Sequence, residues 1–217
     1  MSYPILLLIF LISYLIGSFP TAYLVAKRFA GKDIRKEGTG NIGAMNVSRA
    51  TGKFSLFLLT LIGDILKGAI PVCFTERYFS SFSLFGFNYH WPVIFAASGV
   101  VLGHCYSIYF KIKDGKFYGG KAIASLIGIF LVLDIKYLLI PWGVVCIIYI
   151  LFTGYLFLGQ FMGTLFLPFI GWFLAPEYLP LCLLCAIPVF IRQWPRFIPM
   201  LQGKEPKWYY KTKSKIK

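Results

Sequence analysis

A glycine-rich polar stretch, Gly38-Thr-Gly-Asn-Ile-Gly43, lies between two long apolar segments. Its glycines let the backbone take up positive φ and approach a ligand closely, with N–H groups free to point at an anion. Asn41, Asn46 and Arg49 could add side-chain donors, and the planar fork of Arg49 fits phosphate or carboxylate oxygens in pairs. The stretch therefore predicts phosphate binding, with a connecting loop that holds no ligand as the alternative.

Two nucleotide-binding motifs are matched only superficially. The first loop satisfies G-x-G-x-x-G with Asp64 further on, but its flanks are membrane-length apolar runs rather than a strand and a helix of a soluble α/β domain. A second loop, Gly115 to Ala122, nearly satisfies the P-loop pattern but lacks the Ser/Thr hydroxyl and a preceding buried strand. The backbone N–H groups of the second loop and the Lys121 side chain can still bind an anion, which suggests a site for another anionic group.

The composition is that of a polytopic membrane protein. The chain is 58% hydrophobic and 14% charged, with a mean hydropathy of +0.73, and its apolar stretches do not alternate as barrel strands do. We expect an all-α fold of about seven transmembrane helices. The expected spans are 4–26, 54–75, 91–110, 122–133, 137–155, 158–174 and 179–198, which leaves one membrane domain, 1–203, and a Lys-rich tail, 204–217.

The net charge of +14 is concentrated in three segments, 27–53, 111–121 and the tail. By the positive-inside rule these segments are cytoplasmic, and the N-terminus lies outside the cell membrane. Membrane lipids rather than nucleic acid are the expected surroundings of so basic a protein, and the sequence leaves the oligomeric state open.

The five cysteines are scattered and odd in number, so no disulfide framework is expected, and Cys182 and Cys185 are interpreted as two small buried residues.

Several polar groups fall in the cytoplasmic half of this topology. Asp64 and Lys67 share one helical face and are expected to pair, while His104 ends a predicted span. Each has a purely structural alternative: an ion pair, a histidine bonded to backbone, or, for Lys121, a positive-inside anchor. Together with the two loops, the converging candidates are Ser18, Lys27, Gly103, His104, Gly119, Gly120 and Lys121.

Five motifs in register resemble the bacterial acyl-phosphate:glycerol-3-phosphate acyltransferases, the PlsY-type membrane enzymes. They are Gly17 to Tyr23 with Lys27, Gly38 to Asn46 with Arg49, Asp64-x-x-Lys67-Gly68, Gly103-His104 and Gly119-Gly-Lys121. The resemblance implies an integral membrane enzyme with seven spans and cytoplasmic active-site loops. It also implies transfer of a fatty acyl group from acyl phosphate to glycerol 3-phosphate, giving lysophosphatidate and phosphate in phospholipid synthesis, with no cofactor and no metal.

The expected site follows from this chemistry. An acyl phosphate carries a good leaving group, so no enzyme nucleophile is needed, and the protein can act by holding two anions in alignment. Arg49, His104 and Lys121 are the predicted catalytic residues: His104 orients or deprotonates the hydroxyl, or braces the loop. The acyl phosphate is expected on the first loop with Lys121, and glycerol 3-phosphate on Arg49 and Lys67. The predicted substrate-binding residues are Ser18, Lys27, Gly38, Thr39, Gly40, Asn41, Gly43, Asn46, Asp64, Lys67, Gly103, Gly119 and Gly120.

The chain departs from the family pattern at several positions. The family's serine pair falls at Phe157 and Gln160, and its C-terminal histidine and asparagine fall at Gln193 and Arg196. These departures remove hydroxyl, imidazole and amide groups and leave a second interpretation open. In that interpretation the chain is a non-catalytic organophosphate or lipid-phosphate binding protein or transporter with the same fold.

Overall fold

A computed structural model describes residues 3–79, 90–205 and 207. Eleven α-helices occupy these ranges: α1 Tyr3–Ser18, α2 Thr21–Ala30, α3 Ala44–Thr51, α4 Phe54–Tyr78, α5 Trp91–Cys105, α6 Ile108–Asp114, α7 Ile123–Leu133, α8 Ile140–Thr153, α9 Leu156–Leu174, α10 Leu179–Gln193 and α11 Phe197–Leu201. Short 3-10 turns at Ile34–Lys36, Pro176–Tyr178 and Trp194–Arg196 and a π-helical turn at Ile135–Leu139 complete the described part. The predicted all-helical fold is confirmed.

Five helical stretches in the described ranges are long and apolar enough to cross a membrane: Tyr3–Ala30, Phe54–Tyr78, Ile135–Thr153, Leu156–Leu174 and Pro176–Leu201. Two further apolar helices, Trp91–Cys105 and Ile123–Leu133, are shorter. The count of seven spans, the orientation of the termini and the separate tail therefore stay predictions. Met1 and most of the tail, 208–217, lie outside the described residues.

Close crossings between helices are made at glycines. A Cβ on Gly103 would lie 2.2 Å from the carbonyl oxygen of Tyr14, so this residue lets α5 pack against α1. A Cβ on Gly68 would lie 2.2 Å from the carbonyl oxygen of Ser125, which brings α4 against α7. Because a side chain at either position would push the backbones apart, these glycines fix how near the polar groups of neighbouring helices come.

The predicted first span is broken where its sequence is weakest. α1 ends at Ser18 and α2 begins at Thr21, with Pro20 between them. Proline has no N–H to continue the helical ladder, and it restricts the residue before it to extended conformations. The break exposes the carbonyl oxygen of Phe19, which accepts a hydrogen bond from Lys67 Nζ at 3.2 Å.

The apolar core lies between α5, α7, α9 and α10 and includes Cys105, Cys182 and Cys185, all fully buried. All five cysteines are free. The interpretation of Cys182 and Cys185 as small buried residues is therefore confirmed.

Candidate active site

A cavity of about 240 Å³ opens where the two loops meet α4, α5, α7 and α9. Its polar lining holds eight of the predicted site residues: Thr39, Asn41, Gly43, Asn46, Arg49, Asp64, His104 and Lys121. Its apolar lining comes mainly from α4, α7 and α9: Phe57, Leu61, Ile123, Ile127 and Leu156. One cavity thus has both cationic, donor-rich side chains and apolar side chains in its lining.

The first loop is braced by its own asparagine. Asn46 is 2% exposed, and its Nδ2 donates to the carbonyl oxygens of Ile34, Glu37 and Asn41 at 3.2, 3.0 and 3.0 Å. Its Oδ1 accepts from the Thr39 N–H at 2.9 Å. Although Asn46 lines the cavity, its amide is engaged within the loop, so the structure gives it the part of holding the loop's shape.

Gly38 and Gly40 adopt φ of +56° and +68°, as the sequence predicts for a loop whose backbone must turn tightly. A Cβ on Gly38 would lie 2.4 Å from Asn46 Oδ1. These two glycines line neither of the cavities found in the described ranges, so they shape the loop rather than face its contents. Gly43 is extended, caps the N-terminus of α3 and does line the cavity.

A charged clamp ties the first loop to α6. Arg35 pairs with Asp33 at 2.6 Å and also with Asp114, and its guanidinium lies 5.0 to 5.3 Å from the ring centroids of Tyr23, Phe110 and Tyr118. The Arg35 side chain lowers the pKa of Asp33 to about 2. The clamp fixes the base of the first loop against the residues that lead into the second loop.

The second loop is held by other elements. The Gly120 N–H donates to the carbonyl oxygen of His104 at 2.9 Å, and the Ile42 N–H donates to that of Gly119 at 3.4 Å. Arg192, at the end of α10, donates to the same Gly119 oxygen at 3.0 Å. A Cβ on Gly119 or Gly120 would overlap the end of α5, at 2.1 Å from the Cys105 oxygen and 2.2 Å from His104 Nε2.

Cations from three parts of the chain line the cavity: Arg49, Lys121 and Arg196. Lys121 Nζ lies 4.5 Å and Arg196 Cζ 5.5 Å from the ring centroid of Phe157, and Arg196 pairs with Glu205. Burial holds the pKa of Lys121 well below its usual range, with Arg196 and Arg49 acting in the same direction and Glu205 opposing them. Burial is also the main cause that lowers the pKa of Arg49. An entering anion would stabilise both cations, so the site favours anionic ligands.

The predicted pair of Asp64 and Lys67 is confirmed. Lys67 Nζ lies 2.9 Å from Asp64 Oδ1, and both side chains are buried. The contact is an ion pair by distance but lacks hydrogen-bond geometry, since Oδ1 is left without a hydrogen-bond donor. Lys67 lines a second cavity of about 10 Å³, together with Ser18, Asp64, His104, Gly119 and Gly120. Lys67 therefore lies behind the main cavity rather than in it.

His104 is 5% exposed and lines both cavities. Its Nδ1 lies 2.9 Å from the Ser125 hydroxyl, which in turn donates to the carbonyl oxygen of Asp64 at 3.0 Å. Nε2 has no hydrogen bond to any residue in the described ranges and lies against Gly120 of the second loop.

Two other predicted residues lie away from the cavities. Lys27 is exposed near the end of α2, and Gly103 serves the crossing of α5 with α1. Sequence reasoning also missed Ser125, Arg192 and Glu205. The signal for Ser125 and Arg192 was the presence of polar groups within or at the end of apolar helices, whereas Glu205 reaches the cavity only through tertiary structure.

Comparison with known proteins agrees with this geometry. Residues 7–203 match the family model described as glycerol-3-phosphate acyltransferase. The chain belongs to the glycerol-3-phosphate acyltransferase family. The family's member from Photobacterium profundum is 32% identical over 99% of this chain and 98% of its own length. The member from Endomicrobium trichonymphae is 39% identical over 77% of each chain.

Solved structures of a glycerol-3-phosphate acyltransferase share the fold. The crystal structure of PlsY (YgiH), an integral membrane glycerol 3-phosphate acyltransferase, superposes in its glycerol 3-phosphate form with a TM-score of 0.79, 26% identity and coverage of 94% of this chain and 95% of that chain. The lysophosphatidic acid form superposes with a TM-score of 0.75 and 27% identity, over 93% and 94% of the two chains. The predicted family membership is confirmed over nearly the whole chain.

The departures from the family pattern are clustered in space. Phe157, Gln160 and Arg196 all line the main cavity, while Gln193 is fully buried and donates to Thr164 Oγ1 at 3.0 Å. Where the resemblance predicts a serine pair, this chain has Phe157 and Gln160. The ring of Phe157 lies beside Lys121 and Arg196, and Gln160 carries an amide. The cavity therefore has an aromatic ring and an amide where the resemblance implies hydroxyls, beside three cations.

Proposed function

We propose that this chain transfers a fatty acyl group from acyl phosphate to the hydroxyl of glycerol 3-phosphate. The observation that carries the proposal is the main cavity, whose lining combines three cations, a histidine side chain and apolar side chains. The cations suit two phosphate-bearing substrates, the histidine suits a hydroxyl nucleophile, and the apolar side chains suit an acyl chain.

The reaction requires alignment more than chemical activation. The glycerol hydroxyl oxygen attacks the acyl carbonyl carbon, a new C–O ester bond forms, and the bond from that carbon to the phosphate oxygen breaks. Lys121 and the side-chain amide of Asn41 in the first loop, which both line the main cavity, hold the phosphate of the donor and stabilise the charge it gains on leaving. Apolar side chains from α4, α7 and α9 receive the acyl chain.

Arg49, with Arg196 beside it, holds the phosphate of glycerol 3-phosphate. The planar guanidinium of Arg49 suits paired phosphate oxygens. Lys67, which lies behind the cavity, serves as the counter-ion of Asp64 rather than as a direct ligand. This differs from the role expected from the sequence, and the reason is that the lysine is engaged in a buried pair.

His104 lines the main cavity and orients the attacking hydroxyl. The proton of that hydroxyl passes to the departing phosphate, so the products are lysophosphatidate and hydrogen phosphate.

We also propose that the two loops face the cytoplasm of a cell whose plasma membrane holds the chain, with the N-terminus outside and residues 204–217 as a basic cytoplasmic tail. The charge distribution supports this orientation. In a cysteine-free background, single cysteines at positions 36 and 116 should be spared by an impermeant thiol reagent added to whole cells, while position 177 should react. Labelling at position 36 would show that the proposed orientation is wrong.

The test of function is an assay of purified protein in lipid with a long-chain acyl phosphate and glycerol 3-phosphate. Lysophosphatidate should form without coenzyme A, and acyl-coenzyme A should give none. Arg49→Ala and Lys121→Ala should abolish the product, whereas Arg28→Ala and Lys53→Ala, matched exposed residues, should not.

The second candidate is an organophosphate or lipid-phosphate binding protein or transporter, which the replaced serines, histidine and asparagine favour. If neither donor yields product while glycerol 3-phosphate binds in an Arg49-dependent way, the transferase proposal fails and this candidate takes its place.

A further inference from the structure

We infer that Phe157 is a positioning residue for Lys121, whose ammonium it holds at the main cavity through the face of its ring without neutralising the charge. The contact is a matter of geometry, whereas its importance for the reaction rests on the proposed function. Phe157 is 2% exposed and lies in the first turn of α9. Lys121 Nζ lies 4.5 Å from the ring centroid, which is within the range of a cation–π contact.

The described residues include two buried lysines, and their partners differ. Lys67 lies 2.9 Å from the Asp64 carboxylate, so a full negative charge opposes its own. Lys121 is 8% exposed, yet it makes no ion pair and no hydrogen bond with any described residue. The ring of Phe157 is the direct partner that the described structure gives to its ammonium.

An aromatic ring suits a cation that has to bind an anion. A carboxylate in its place would neutralise Lys121 and repel an entering phosphate. An aromatic face attracts a cation through its quadrupole and carries no net charge. The ammonium has three N–H donors, and because none of them is used in a hydrogen bond to the described protein, all three can serve a phosphate.

The charged groups around Lys121 belong to the main cavity. They are Arg49 on α3, Arg196 before α11 and Glu205 after it, and none of the three lines the second cavity. Lys121 and Phe157 also line the main cavity and not the second one. Arg196 Cζ lies 5.5 Å from the centroid of the same ring, so a single ring serves two cations of one cavity.

The ring is fixed by an apolar cluster that it forms with Phe161 and Met200. The ring centroids of Phe157 and Phe161 are 5.9 Å apart. Phe161 lies one turn further along α9 and is 5% exposed, but it lines neither cavity found in the described ranges and has no cation–π contact there. Changes at Phe161 therefore disturb the same packing without touching the contact to Lys121, which makes this residue the matched control.

The first experiment varies the electronics of the ring at nearly constant shape. Phenylalanines that carry one, two or three ring fluorines are placed at position 157 by nonsense suppression, which weakens the negative face of the ring stepwise. The ring stabilises the protonated form of Lys121, so each fluorine should lower the midpoint pH at which Lys121 reacts with acetic anhydride, as followed by mass spectrometry. Across the series the acid dissociation constant of Lys121 should rise by about 5- to 30-fold. The same series at position 161 should leave the midpoint unchanged, and a midpoint that does not depend on fluorination at 157 would overturn the inference.

The second experiment measures the consequence for the reaction. The kcat/KM for acyl phosphate should fall stepwise across the fluorine series at position 157, by about 5- to 30-fold in all, and should change by less than about threefold across the series at position 161. A loss that is equal at the two positions, or that does not follow the number of fluorines, would make Phe157 a packing residue only and overturn the inference. If wild-type protein makes no product, the proposed function fails by itself, and the midpoint of Lys121 labelling alone decides the inference.

Discussion

The two glycine loops of this protein are built in different ways, although their sequences look alike. The first loop is held mainly by residues within 33–46: Asn46 satisfies three carbonyl oxygens and one N–H of the loop, and Asp33 and Arg35 pair at its base. The second loop is held from outside, by the end of α5, by Ile42 and by Arg192 of α10. A self-braced loop keeps its shape when distant helices move, whereas a loop held from outside transmits such movement to the site.

This difference determines which substitutions harm the site. In the second loop Gly119 and Gly120 face the backbone or ring of another element, so atoms added at these two positions displace neighbouring groups of the site. In the first loop the side chains that matter are the local donors.

Gly120→Ala should lower kcat/KM by about 10²-fold or more, the cost of moving a reacting group by roughly 1 Å. The added Cβ would lie 2.2 Å from His104 Nε2 and 2.5 Å from the carbonyl oxygen of Ile42, so one or both must move. Gly115→Ala is the matched control in the same loop, because nothing lies within 4 Å of its Cβ. That control carries only the strain of φ +69°, about 1 to 2 kcal/mol, and should keep most activity. Equal losses in both variants would contradict the contrast.

Asn46→Ala should lower the free energy of unfolding of the first loop by about 1 to 3 kcal/mol, the usual cost of leaving buried polar groups without partners. Hydrogen exchange should become faster over residues 34–46 and remain unchanged over 115–121. Activity should fall as well, through a higher KM for acyl phosphate. Faster exchange in both loops would mean that the first loop is not self-braced.

Arg192→Gln should disturb the second loop and leave the first loop unchanged, and its effect should be smaller than that of Asn46→Ala. Loss of the charged donor to Gly119 O should cost about 1.5 kcal/mol, or roughly tenfold in kcat/KM, since the Ile42 N–H still bonds the same oxygen at 3.4 Å. Exchange should rise over 115–121 only. Arg28→Gln, at an exposed arginine, is the control and should change neither quantity. If hydrogen exchange over 115–121 is the same in Arg192→Gln as in wild type, α10 does not stabilise the second loop.

The contrast between the loops also explains how much could be predicted from the sequence. The helical membrane fold, the first loop and the pair of Asp64 with Lys67 follow from local patterns: apolar length, glycine spacing and i,i+3 charges. The helical limits were less accurate, since the predicted span 91–110 ends at Cys105, where the chain turns before α6. Gly103 and Gly119, which the sequence predicts as substrate-binding residues, both pack tightly against other elements, and either role favours a residue without a Cβ.

The parts of the site that the sequence could not predict are those that arise from distant segments. Ser125 contacts His104 from 21 residues away, Arg192 contacts Gly119 from 73 residues away, and Glu205 reaches Arg196 only because the chain turns back after α11. No local pattern relates such pairs. The position of Lys67 is a further case: its pairing with Asp64 follows from local spacing, but its place at the second cavity depends on how α4 meets the break after α1.

The smallest expected effect concerns the charge at the base of the first loop. Arg35 lowers the pKa of Asp33 to about 2, so the folded state favours the ionised carboxylate. Stability from this pair is therefore fully present above the unfolded pKa of about 3.9 and is lost as the pH falls toward 2.

Asp33→Asn removes this charge but keeps an oxygen that can cap the Arg35 N–H, as the aspartate does at 3.1 Å. Arg35 also keeps Asp114 as a partner. The variant should be less stable than wild type by about 0.2 to 1 kcal/mol, the usual value for a pair near the surface. Unfolding free energies measured against pH should differ by a constant amount from pH 5 to 8 and converge between about pH 4 and 2. A difference that persists at pH 2 would show that Asp33 stabilises the loop through its capping geometry rather than through its charge, and that the self-bracing of the first loop depends on hydrogen bonds alone.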